Sequence, residues 1–80
     1  MTEYNIGDTV LVEYLVDSFE TTITDKKLLT GGNLKEAKKH YNGLSNFEYA
    51  YACADFSGDI RWATRLDIIK LVKKAKIEVF

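Results

Sequence analysis

Residues 9–17, Thr-Val-Leu-Val-Glu-Tyr-Leu-Val-Asp, set Val10, Val12, Tyr14 and Val16 at alternate positions, and this period of two constrains the fold more than any other feature. β-Branched and aromatic side chains in that pattern specify a strand with one face turned to a core. The other face carries Thr9, Leu11, Glu13, Leu15 and Asp17, a mixture that predicts partial cover there too. Phe19, Thr21 and Ile23 alternate with Glu20, Thr22 and Thr24, which predicts a second strand over 19–24 reached through a turn at Asp17-Ser18. The two strands form a meander.

Thr30-Gly31-Gly32-Asn33 breaks the alternation, and Asn33 followed by Glu36 has the spacing of a capping box. A helix is predicted over 34–42, docked through Leu34, Ala37 and Tyr41, with Lys35, Lys38 and Lys39 outward and Gly43 as its stop. Residues 47–56 and 60–66 read as a hairpin closed by Ser57-Gly58. That loop pairs Cys53 with Trp62 and Tyr51 with Thr64 on the core face. It leaves Ala50, Ala52, Ala54 and Ala63 with Arg61 and Arg65 on the opposite face. Residues 67–74 show helical spacing of Ile68, Ile69, Leu71 and Val72, opened by Thr64 and Asp67, and 75–80 alternate as a closing strand.

Eighty residues give room for one domain and one core. The expected architecture is α+β: a small antiparallel sheet or partly open five-stranded barrel. One short helix is inserted after the second strand and a second short helix precedes the last. Ile6-Gly7-Asp8-Thr9-Val10-Leu11-Val12, a Gly-Asp turn leading into the first strand, together with a hairpin, a helical turn and a terminal strand at the other end, resembles small barrels of the Src-homology-three type. That class includes KOW and Tudor modules, and the resemblance implies an RNA or protein partner. A plain α+β sheet with helices packed on one face is the competing architecture.

The apolar share of 46% and charged share of 29% belong to a globular chain, and the net charge of −1 carries no global field. Read in blocks, residues 1–25 carry −6, 26–39 carry +4, 40–59 carry −3 and 60–80 carry +4. Either these segments neutralise one another across the fold, or they build a bipolar surface with a basic face. The single Cys53, the polar start of the chain and the absence of a long apolar run predict a cytoplasmic protein without disulfide or membrane span. One His and one Cys leave no zinc ligand set, and no cofactor is expected.

Cys53 and His40 are the pair available for nucleophilic chemistry, but a thiol on the core face is packing, and burial raises its pKa. Asp55 and Asp59 flank a hairpin tip, where carboxylates serve turn geometry. Thr30-Gly31-Gly32-Asn33 has the makings of an anion site without the remainder of a phosphate loop. No enzyme is expected. Arg61 and Arg65 with Lys35, Lys38 and Lys39 are the candidate binding residues, unless the helix covers the Ala-rich face between the arginines. The expected function is a binding module for a partner protein, which it modulates or inhibits, with nucleic acid on the basic face as the alternative. Size and a Tyr-rich core also resemble the small accessory proteins of bacteriophages, which implies a host protein as the target.

Overall fold

The computed structural model describes residues 3–75. Its elements are β1 (Thr9–Tyr14), β2 (Asp17–Leu28), α1 (Gly31–His40), β3 (Tyr49–Ala54), β4 (Ile60–Ala63) and β5 (Ile68–Lys73). The strands form one antiparallel sheet in the order β4-β3-β2-β1-β5, which is not closed, so β4 and β5 are its edges among the described residues. This is a sheet-dominated α+β fold with one helix.

β2 is the hinge of the sheet. Its 12 residues pair first with β1, Val12 opposite Phe19 and Val10 opposite Thr21, and then with β3, Ile23 opposite Cys53 and Lys27 opposite Ala50. A bulge between Ile23 and Asp25 marks the change of partner, and such an extra residue bends and twists a strand. Threonine hydroxyls bridge to β3 there: Thr24 Oγ1 donates to the Ala52 carbonyl at 3.2 Å and Thr21 Oγ1 to the Ala54 carbonyl at 2.7 Å. The concave side holds the core of Tyr4, Val10, Val12, Ile23, Tyr51, Cys53, Ala63 and Ile68, with Phe19 and Tyr49 packed against it.

The Gly7-Asp8 turn ties this core to both ends of the described chain. Gly7 has φ +96°, and a Cβ there would lie 3.0 Å from that of Ala75. Buried Asp8 accepts the Asn5 N–H at 2.9 Å and the Ala75 N–H at 2.8 Å. Glycine is needed for the backbone angle and for the close approach alike.

Four expectations are corrected. The β1–β2 turn is Leu15-Val16, with Tyr14 opposite Asp17, so Val16 lies outside the strand and Asp17-Ser18 lies inside β2. Registers that differ by an even number of residues keep the same faces, so alternation alone could not choose between them. The helix runs from Gly31 to His40 and not over 34–42: Thr30 is its N-cap with no side-chain capping bond, and Tyr41 is already extended. Leu34, Ala37 and Tyr41 are half-buried as expected, yet α1 buries no residue fully.

The third correction is the β3–β4 loop, which has three residues, Phe56-Ser57-Gly58. The Asp55 N–H donates to the Asp59 carbonyl at 2.8 Å, and Gly58 sits at φ +89°. Three-residue hairpins use glycine at that left-handed position. The longer loop pairs Cys53 with Arg61, Ala52 with Trp62 and Tyr51 with Ala63. Arg61 and Ala63 therefore share the concave face, and Trp62 turns outward beside the alanines.

Residues 68–73 are a strand where a helix was expected. Ile68 pairs with Val12, Lys70 with Leu11, Leu71 with Val10 and Lys73 with Thr9, skipping Ile69 and Val72. These two irregularities set Ile68 opposite Val12 and Leu71 opposite Val10 at a spacing of three, which imitates a helix. Thr64 and Asp67 do exchange hydrogen bonds, Thr64 N–H to Asp67 Oδ2 at 2.8 Å and Asp67 N–H to the Thr64 carbonyl at 3.0 Å. They close one turn only, after which the Glu13 N–H takes the Asp67 carbonyl at 2.8 Å and draws the chain into β5. The closing strand expected over 75–80 lies, beyond Ala75, outside the described residues.

Candidate functional site

Of the five expected binding residues, Arg61 lies on β4, Arg65 just beyond it, and Lys35, Lys38 and Lys39 on α1. Each arginine closes one end of the β3–β4 hairpin on a carboxylate: Arg61 Nε meets Asp55 Oδ2 at 2.6 Å and Arg65 Nε meets Glu48 Oε1 at 2.9 Å. Arg65 Nη2 also donates to the Gly43 carbonyl at 2.8 Å, and Lys38 donates to Asn46 Oδ1, so both help hold the segment between α1 and β3. Lys39 lies 3.8 Å from Glu36, and Lys35 is exposed on α1.

Both carboxylates are buried and thoroughly hydrogen-bonded. Burial would push the Glu48 carboxyl up, but hydrogen bonds from Arg65 and from Ser45 outweigh it and hold it below its ordinary value. The Ser57 hydroxyl, donating at 2.6 Å, and the Arg61 guanidinium hold Asp55 well below the usual carboxylate range. Asp55 Oδ1 also accepts the Ser57 and Asp59 N–H groups at 2.9 and 3.1 Å, so one carboxylate shapes the loop and fixes Arg61.

What sequence reasoning missed is the aromatic cluster that this loop builds. The Arg61 guanidinium lies 4.5 Å from the centre of the Tyr14 ring. Tyr14, Phe19 and Phe56 meet edge to face, with centroids 5.8 Å apart for Tyr14 and Phe56, 5.9 Å for Phe19 and Phe56, and 6.4 Å for Tyr14 and Phe19. Phe56 comes from the β3–β4 loop and Tyr14 from the end of β1, so the two hairpin tips lie side by side. Phe56 remains 73% exposed, and Leu15, Val16 and Ile60 are exposed with it. The available signal was a phenylalanine in a turn otherwise made of Asp, Ser and Gly. A groove of about 400 Å³ runs beneath the cluster on the concave side, lined by Tyr14, Cys53, Arg61 and Ala63 and reaching Tyr41 and Asp67. Burial and the Asp67 carboxylate push the Tyr41 hydroxyl up to about 12.

The rim of this end is acidic: Glu13, Asp17 and Asp59 are exposed. Cys53 is buried, and burial followed by the Asp67 and Asp55 carboxylates raises its thiol pKa. His40 is exposed on α1, 3.4 Å from Glu36. On the convex side the Lys27 ammonium sits 4.4 Å from the centre of the Trp62 ring, with Ala50 and Ala52 buried between these larger neighbours. Among the described residues, no three His, Cys, Asp or Glu side chains converge as a metal site, and no helix is long and apolar enough to cross a membrane.

No family model matches the chain, and neither the curated proteins nor the solved structures contain a significant match to it.

Proposed function

We propose that the chain is a non-enzymatic binding module that docks a partner protein through the end of the sheet where the β1–β2 turn and the β3–β4 loop meet, and so modulates or inhibits that partner. The observation that carries this reading is Phe56. It stands mostly in solvent yet is braced by Tyr14 and Phe19 above an arginine already held by Asp55. Aromatic and arginine side chains in fixed positions dominate binding energy at protein interfaces, and an apolar patch with a polar rim is the usual anatomy of one.

The strand order supports reading the sheet as a partly open barrel of the Src-homology-three type. Four strands follow one another in sequence, the last returns beside the first, and the bent β2 serves both halves. A protein partner fits this end better than nucleic acid does. Glu13, Asp17 and Asp59 repel phosphates, and Arg61 and Arg65 are engaged by carboxylates. Lys35, Lys38, Lys39 and Arg65 fall outside the proposed docking end.

The test is a pull-down with the full chain from a lysate of its source. A stoichiometric complex is expected, retained at ~150 mM salt, where exposed charge contacts are largely screened. It should be lost when Phe56→Ser is combined with Tyr14→Ser in a variant whose circular dichroism is unchanged. A clean pull-down overturns the reading, and so does a gel shift of RNA or DNA that disappears in Arg61→Ala with Arg65→Ala.

A further inference from the structure

We propose that Leu15 and Val16 form an anchor that inserts into an apolar pocket rimmed by Lys or Arg side chains on the partner protein. This rests on the docking reading above and names the chemistry of what is docked.

Both residues sit where the fold itself has no use for them. Tyr14 opposite Asp17 leaves Leu15-Val16 as the entire β1–β2 turn, and Leu15 has φ +56°. Two-residue hairpin turns place Gly, Asn or Asp at such positions, because a branched side chain in the left-handed region is strained. Leu15 is 81% exposed and Val16 104%, so no burial offsets that strain. Strained residues that persist in otherwise regular structure concentrate at binding and switch sites.

The tip is also held in place. The Asp17 carboxylate accepts the Ser18 N–H at 2.9 Å, and Tyr14, directly beneath the turn, is braced by Phe19, Phe56 and Arg61. Two apolar side chains presented on a fixed turn bind with little further ordering cost. Charge decides the occupant. Glu13 and Asp17 flank the turn on opposite faces of the hairpin, and Asp59 lies on the neighbouring tip. The basic Lys70 of β5 stands farther down, opposite Leu11. An apolar pocket with a basic rim matches this pattern, whereas a phosphate-bearing lipid surface or a carboxylate-rimmed pocket is repelled by it. A shallow hollow between the tip and Ile69, lined also by Glu13 and Asp17, leaves space for a rim side chain of the partner.

The experiment places a benzophenone photocrosslinker in the full chain in place of Val16 or, separately, Phe56, exposes each to source lysate, and maps the crosslinked peptides by mass spectrometry. Both positions should capture the same protein. The peptide joined at position 16 should be apolar with flanking Lys or Arg. Leu15→Asn combined with Val16→Ser, carried with the crosslinker at position 56, should lower capture at least tenfold. Leu15→Asn alone should raise Tm by about 4 °C, since Asn tolerates the left-handed region. Capture at position 56 without capture at 16, undiminished capture in the double variant, or a Tm lowered by Leu15→Asn each overturns the anchor and leaves the docking reading standing. Capture at neither position overturns both. Binding to phosphatidylglycerol vesicles that is lost in the double variant would overturn it in favour of a lipid surface.

Discussion

Glu48 and Asp55 stand just outside the two ends of β3, each buried and paired with an arginine from the far side of the hairpin. Removing one partner of such a pair leaves an uncompensated charge. Arg65→Ala is therefore expected to cost about 3 kcal/mol in urea unfolding, and Glu48→Gln in the same chain to recover part of it. The pH dependence follows from the same geometry. Both carboxyls titrate lower in the folded chain than in the unfolded one, so their contribution is complete above the ordinary carboxyl values of about 4. It is lost as pH falls through and below those values. Thermal melts should show a plateau above pH 5 and a falling acid limb, shallower in Asp55→Asn. The arginines were legible as special residues from their chemistry alone. Their partners were not, because one extra residue in the Phe56-Ser57-Gly58 loop decides which side of β4 faces Asp55.

Among the elements, β5 and α1 show how similar patterns diverge. Residues 68–73 have helical spacing and residues 34–40 do too, yet only the second segment is a helix. β-Branched Ile68, Ile69 and Val72 favour a strand, and β1 offers an edge whose two irregular rungs absorb the extra residues. α1 has Lys38, Lys39 and His40 in its last turn, where positive charge complements exposed carbonyls, but it lacks a side-chain N-cap and buries no residue fully. A helix of 10 residues held this lightly is expected to open independently of the sheet. Amide hydrogen exchange in α1 is expected to be at least a hundredfold faster than in β2 and β3. Equal protection would show that the helix unfolds only with the sheet.

For the whole molecule the decisive device is the bend in β2. Ile23, 1% exposed, sits at the change of partner, with its N–H donating to the Asp8 carbonyl at 2.9 Å and its carbonyl accepting the Gly7 N–H at 2.8 Å. Ile23→Ala should cost roughly 2–5 kcal/mol, a large share of the ~5–15 kcal/mol that holds a domain together. Both halves should be lost in one transition, with Trp62 fluorescence and far-ultraviolet circular dichroism coinciding in denaturant. Separate transitions would show that the halves are independently stable. From the sequence alone came β1 and its inward face, the Gly7-Asp8 turn, the half-buried stripe of α1 and the segregation of charge, because each depends on the period or chemistry of neighbouring residues. The tertiary structure alone decided the register of both hairpins, the strand at 68–73 and the meeting of Tyr14, Phe19, Phe56 and Arg61. Those depend on loop length, bulges and pairing between residues far apart in the chain, where shifts of a residue or two leave the local pattern unchanged and reassign every neighbour.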